Sequence, residues 1–152
     1  MCQCVFLCVC VRYVTPHNQN QKMQPIELDL PWPPSVNQYW RHPSSGPLAG
    51  RHLISEQGRK YRGKVLNQLT VEGHQHKLAD RLSVAILCYP PDRRRRDLDN
   101  VLKAALDALV FAGVMLDDSQ IDRLAIERCA VQAPGRLEIT IERLSDGIKK
   151  DA

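Results

Sequence analysis

The sequence predicts an α+β fold: a single domain with elements in the order βαβαββ, its mixed sheet packed by two helices. Three observations carry this reading. Apolar residues recur every second position in some segments and about every 3.6 positions in two others, the signatures of half-buried strands and amphipathic helices. The two periods alternate along the chain, and proline or glycine closes most segments. The 152 residues are enough for one core and too few for two ordinary domains, and no internal repeat is visible.

Ile26-Glu27-Leu28-Asp29-Leu30 alternates with period two and reads as a half-buried strand ended by Pro31. Pro31-Trp32-Pro33-Pro34-Ser35 follows, where three prolines remove three backbone donors and fix an extended exit from an edge strand. Residues 37–50 carry Tyr39, Trp40, Arg41 and His42, then serine, glycine and proline, and read as a loop of mixed aromatic and basic character, the kind that contacts ligands.

Ser55 is placed to cap a helix running to about Thr70, with Tyr61, Val65 and Leu69 on one stripe and Arg59, Lys60, Arg62 and Lys64 on the others. Those basic residues are compatible with a phosphate-facing surface, a solvated helix face being the commoner explanation. Gly58 and Gly63 weaken the helix. His74 and His76 fall in a polar linker and are given no role. Residues 82–89, Leu-Ser-Val-Ala-Ile-Leu-Cys-Tyr, form a strand closed by Pro90-Pro91. From Leu98 the period changes: Leu98, Leu102, Ala105, Leu109 and Ala112 make an apolar stripe with Gly113 as C-terminal cap. Two strands remain, one within residues 121–131 and one over residues 137–142 after the Pro134-Gly135 turn.

Composition narrows the function classes. Lysine and arginine exceed aspartate and glutamate by four, 21 against 17, too small an excess to identify a partner. Aromatic residues are 5% of the chain, which disfavours a stacking-rich single-strand binder, and no apolar run reaches the ~18 residues of a membrane span. Cytoplasmic localisation is the expectation.

Four of the six cysteines, Cys2, Cys4, Cys8 and Cys10, fall in the first ten residues, leaving Cys88 and Cys129 in the body. The opening lacks the basic start and cleavage pattern of a signal peptide, and its cysteines lack the separated pairs of a zinc fold. Residues 1–22 are read as translated upstream sequence or a disordered arm, with Met23 as the start of the body and residues 146–152 as a tail. Without Arg12 and Lys22 the body has 19 basic and 17 acidic residues.

The chemistry concentrates in Asp92-Arg93-Arg94-Arg95-Arg96-Asp97-Leu98-Asp99-Asn100, between a strand end and a helix start. Four consecutive arginines repel one another unless a polyanion or carboxylates offset them, and the guanidinium fork beside a helix N-terminus suits phosphate. A solvated basic loop paired with nearby acids is the alternative. Asp97 and Asp99 both face inward on an extended backbone and diverge by about 200° on a helix. A plain helix cap explains one of them: Asp97 as cap would leave Asp99 in the first turn. Lys103 lies one turn beyond Asp99 and Asp107 one turn beyond Lys103, either an ion-pair row or an ammonium beside a phosphate; spacing does not separate the two. Asp117-Asp118 could return toward the helix entrance, and three converging carboxylates hold Mg²⁺. Metal-assisted phosphodiester hydrolysis uses every part. A nucleotidyltransferase would want a Gly-Ser phosphate loop that is not seen, and a non-catalytic nucleic-acid-binding module gives the carboxylates no task.

These residues resemble the RusA-type crossover junction endodeoxyribonucleases, the Holliday junction resolvases. The likeness lies in Leu30-Pro31-Trp32-Pro33-Pro34-Ser35 with Asn37 and Tyr39, the run from Asp92 through Asn100, Lys103-Ala104-Ala105 with Asp107-Ala108-Leu109, and Gly113 followed by Leu116-Asp117-Asp118. It spans most of the body; residues 1–22 depart from the pattern. The resemblance implies a Mg²⁺-dependent homodimer, Mn²⁺ being an alternative, that binds four-way DNA junctions and places paired nicks in opposed strands during recombination and repair, frequently encoded by prophages. Carried over, the metal ligands fall on Asp97, Asp99 and Asp118, with Asp117 able to substitute, and the catalytic lysine on Lys103. Arg93, Arg94, Arg95, Arg96 and Asn100 are expected to contact DNA.

Overall fold

A computed structural model describes residues 24–144. The expected boundary at Met23, the N-terminal cysteines and the C-terminal tail lie outside the described residues. The elements are β1 (Ile26–Pro31), α1 (Val36–Tyr39), β2 (Trp40–Arg41), β3 (Leu53–Ile54), α2 (Glu56–Val71), β4 (Leu82–Tyr89), α3 (Asp99–Ala112), a 3₁₀ turn (Asp118–Gln120), β5 (Ile121–Arg128) and β6 (Arg136–Arg143). The predicted βαβαββ order holds for the principal elements. The structure adds what the reading of residues 37–50 as loop omitted: a helical turn at α1 and a two-residue ladder in which Trp40 pairs with Ile54 and Arg41 with Leu53. Elements this short show no period, so no hydrophobic pattern announces them.

The sheet order is β1-β6-β4-β5. β6 runs antiparallel to both β1 and β4, and β5 runs parallel to β4, so the sheet is mixed and the Trp32 segment leaves from an edge strand, as expected. The chain reaches parallel β5 through α3, the crossover that a parallel pair requires. One sheet face is apolar: Leu28 and Leu30 of β1, Val84 and Ile86 of β4, and Leu137, Ile139 and Ile141 of β6 are all buried. Helices α2 and α3 cover this face and contact each other through Tyr61, Val65 and Leu69 on one side and the α3 stripe on the other.

Helix α2 begins as its sequence requires. The Ser55 hydroxyl oxygen accepts from the Gly58 amide at 3.0 Å, meeting one of the orphan donors of the first turn. Helix α3 does not. It starts at Asp99 with Leu98 at the cap position and no side-chain cap, so Asp97 is not the cap its spacing suggested. The buried arc of α3 is also broader than the predicted stripe, taking in Val101, Ala104 and Ala108 while Leu98 and Leu102 are only partly buried. Four buried alanines, Ala104, Ala105, Ala108 and Ala112, let α3 lie close to the sheet and to α2 at once. Gly113 ends the helix at φ 77°, the left-handed conformation that glycine adopts without steric cost.

Gly58 has a packing reason that helix propensity conceals. A Cβ there would lie 2.7 Å from Ile54 Cγ2 and 2.8 Å from the Tyr39 carbonyl oxygen, so the missing side chain is what lets α2 approach α1 and β3. Gly58→Ala is expected to destabilise the fold by about 1–3 kcal/mol in urea unfolding despite its better helix propensity, because the overlap outweighs the gain. Gly63, with nothing within 4 Å of its virtual Cβ, serves as the control: Gly63→Ala should be neutral or stabilising.

Candidate active site

The arginine run occupies the bend between β4 and α3. Its four side chains are not equivalent. Asp92 accepts from Arg96 through both oxygens, at 2.5 and 2.9 Å, and from the Arg94 amide at 2.9 Å. The Arg96 guanidinium, then the Arg94 amide, hold the Asp92 carboxyl well below the usual carboxylate range. Arg96 is thereby a brace for the bend, and Arg128 of β5 reinforces it by donating to the Arg96 carbonyl. The Arg94 side chain reaches Asp92 only at 3.9 Å and is largely exposed. Arg93 and Arg95 are exposed and make no ion pair among the described residues. Both alternatives drawn from the sequence therefore apply: two arginines lean on a neighbouring acid and two present their charge outward.

A cleft of about 310 Å³ lies beside the bend. Trp32, Pro33 and Gln38 form one wall, and Arg95, Asp97 and Asn100 form the other. The proline-rich exit from β1 is thus the opposite bank of the cleft into which the Asp92-to-Asn100 run faces. Asp97 is exposed and has no hydrogen-bond or ion-pair partner among the described residues. Asp99 is the first residue of α3, its Oδ1 accepting from the Asn100 amide at 2.9 Å.

The third acidic element returns to α3. Asp117 caps the 3₁₀ turn by accepting from the Ser119 amide, while Gln120 reaches back to the Asp117 amide at 2.8 Å. Gln120 also donates to the carbonyls of Leu78 and Asp80, so this nearly buried amide anchors the turn to the body. With Asp117 committed to the cap, Asp118 is the acid that faces Lys103, Oδ2 lying 3.4 Å from Nζ. Lys103 binds Asp107 more closely, at 2.9 Å, one turn further along α3. These carboxylates, Asp107 foremost, raise the Lys103 pKa against the opposing effect of burial, so the side chain is an ammonium at neutral pH. In that form it can stabilise negative charge.

The structure does not gather the three predicted ligands. Among the described residues no group of three or more His, Cys, Asp or Glu side chains is close enough to hold a metal ion. Asp97 and Asp99 lie on the bend and at the first residue of α3, whereas Asp118 is drawn to Lys103. Carboxylates repel one another at short range, which favours separate orientations.

Sequence reasoning missed what stands behind Lys103. Asp107 is largely buried, and its other oxygen faces Arg62 of α2 at 3.8 Å. Arg62 Nε donates to the Tyr39 hydroxyl at 2.6 Å, and the phenol lies under the α1 turn with the residue wholly buried. Burial chiefly raises the Tyr39 pKa, which keeps the phenol neutral. Tyr39, Arg62, Asp107, Lys103 and Asp118 therefore form one chain of polar contacts across four elements. The i, i+4 spacing of Lys103 and Asp107 was legible; the junction with Arg62 and Tyr39 spans elements far apart in sequence and leaves no local signature. Asp107→Asn is expected to lower any reaction assisted by Lys103 by about 10- to 100-fold with ligand affinity nearly unchanged, the scale of a lost orienting partner. Paired rate and binding measurements on the one variant test this.

The Endodeoxyribonuclease RusA family model matches residues 31–142. Curated relatives of the chain bear the name crossover junction endodeoxyribonuclease RusA. The one from Shigella sonnei strain Ss046 is 42% identical over 124 residues, covering 82% of this chain and 99% of the relative. Those from Escherichia coli K12 and Enterobacteria phage 82 are each 41% identical over the same length, with the same coverage. The matched span contains the β1 exit, the arginine bend, α3 and the Asp118 turn.

Proposed function

The chain belongs to the RusA family of endodeoxyribonucleases, and from that premise we propose that it resolves four-way DNA junctions by divalent-metal-dependent paired nicking. The observation that carries this reading is the meeting of Lys103 with Asp118 on the flank of α3, one turn from Asp99; Asp97 and Arg95 line the cleft at the bend that precedes the helix. Lys103 supplies charge that stabilises a phosphate, and a cation would draw toward itself the carboxylates that the structure leaves apart. A helix-cap explanation of Asp97 is disfavoured because Leu98 takes the cap position.

The donor set fits a hard divalent cation. Asp97, Asp99 and Asp118 offer only oxygen, the ligand type Mg²⁺ and Mn²⁺ require, and all three are at least partly solvent-accessible. These are the residues that would hold the ion, which supplies Lewis-acid stabilisation of the phosphoryl oxygens and activation of water. Asp117 is the weaker candidate because its carboxylate caps the 3₁₀ turn.

The chain's own residues account for the rest. Arg93 and Arg95, free of carboxylate partners, neutralise backbone phosphates flanking the cut; Arg94 contributes after letting go of a weak 3.9 Å contact. Arg96 acts on DNA indirectly by holding the bend, and Asn100 offers an amide to the cleft. Lys103, held by Asp107, stabilises charge as it develops on the attacked phosphate. A homodimer brings a second site to the opposed strand, and sedimentation showing a monomer at working concentration would contradict symmetric resolution.

Replacing Arg93 and Arg95 together by alanine should lessen the slope of log affinity against log salt by about 2 and weaken junction binding at least tenfold at moderate salt. The function itself is tested by incubating the protein with a labelled synthetic four-way junction and a linear duplex of matched sequence, with Mg²⁺ or EDTA. Symmetric nicks in the junction alone, dependent on Mg²⁺, are expected. Binding without nicking in either Mg²⁺ or Mn²⁺ would leave a junction-binding protein and overturn the catalytic reading.

A further inference from the structure

A second groove, of about 650 Å³, lies on the other side of Arg62 from the Lys103 chain. Its walls come from β2, β3, α2 and the C-terminal half of α3, and they combine Trp40 and Phe111 with Arg41, His52, Arg59 and Arg62. Among the described residues no carboxylate lines it. Phe111 is 51% exposed on a helix whose apolar face is otherwise turned inward, so core packing does not explain it. The Arg62 guanidinium stands 5.2 Å from the centre of the Phe111 ring. Trp40 is half-buried and held edge-on against Tyr39, with ring centres 5.3 Å apart, which fixes its plane before any ligand arrives. Arg41 is exposed without an ion-pair partner among the described residues, and Arg59 donates to the Ile54 carbonyl at 2.7 Å.

We propose that this groove receives an unpaired nucleotide of the DNA substrate, its base against Phe111 and Trp40 and its phosphates on Arg41 and Arg59. An aromatic face beside guanidinium groups, with no carboxylate among the lining residues, is the chemistry that single-stranded nucleic acid selects. The inference rests on the junction-nuclease reading, because a four-way junction supplies such a nucleotide at least cost. Base pairs at the exchange point lack a continuous stack, so opening them requires less than opening a duplex interior. Arg62 belongs to both places: it lines this groove and contacts Asp107, the partner of Lys103. An occupant here is therefore seated next to the cutting site, and occupancy favours a junction over a duplex.

Photocrosslinking in EDTA tests the proposal on the full chain. One junction carries 5-iododeoxyuridine at the exchange point and a second carries it in the middle of an arm, and crosslinked peptides are mapped by mass spectrometry. The expected adducts fall on Phe111 or Trp40 with the exchange-point label and are absent with the arm label. Phe111→Ala, at a half-exposed position and checked for an unchanged melting temperature, should reduce the preference for junction over duplex about tenfold. Equal crosslinking from both labels, or adducts only outside the groove, in a protein that binds the junction would overturn this proposal alone. A protein that neither binds nor nicks the junction would overturn the functional reading, and the groove assignment with it.

Discussion

Asp97→Asn is expected to reduce junction cleavage on the order of 10³-fold while leaving junction binding intact or tighter. The two halves of this outcome have separate causes. Cleavage falls because a neutral amide replaces one of the three carboxylates proposed to hold the cation, and electrostatic stabilisation at the reacting phosphate is commonly worth that much. Binding holds because Asp97 lies exposed in the cleft beside Arg95 and Asn100, where its charge opposes that of a phosphate. The substitution breaks no hydrogen bond or ion pair among the described residues, so the melting temperature should not move. Gel-shift titrations in EDTA and single-turnover nicking rates in Mg²⁺ report the two quantities independently. Loss of binding together with cleavage in a folded variant would place Asp97 among the DNA contacts instead.

Leu109→Ala should act in the opposite way, costing about 3 kcal/mol of stability and lowering the melting temperature by about 10 °C while leaving nicking per folded molecule intact. Leu109 is fully buried in the arc of α3 that packs on the sheet and α2, and the alanines around it leave little flexible side chain to refill the space. Asp99 and Lys103 lie on the same helix but on its exposed flank. Urea unfolding and nicking at 25 °C separate the two effects. A large fall in the folded protein's nicking rate would show that the packing of α3, and not only its surface residues, sets the active geometry.

The contrast between Leu109 and Asp97 also marks how far the sequence could be read. Strand β4 and helix α3 were legible because eight and fourteen residues hold one period and end at Pro90 and Gly113. The β2-β3 ladder was not, since two residues per strand carry no alternation and the pairing joins Trp40 to Ile54 across a long loop. The run from Asp92 through Asn100 stood out because so many like charges in a row need an explanation. Its division of labour did not: Asp92 ties down Arg96 and leaves Arg93 and Arg95 outward, a choice made by side-chain reach at the bend. The cap of α3 was misplaced by one residue because Asp is a favoured cap in general, and here the helix begins at the second Asp. Arg62 read as one more cation on a solvated face. Only the packing of α2 on α3 places it between Tyr39 and Asp107, where it backs Lys103 on one side and lines the aromatic groove on the other.

The proposed site requires that the acids about the entrance of α3 hold a divalent cation beside Lys103. Electron paramagnetic resonance of free Mn²⁺, titrated against the protein bound to an uncleavable junction, measures this directly. Saturable binding at one site per chain, weakened at least tenfold in Asp97→Asn and unchanged in Phe111→Ala, is the expected result. Equal Mn²⁺ affinity in the wild-type and Asp97→Asn proteins, or no saturable binding by a wild-type protein that nicks the junction, would contradict it.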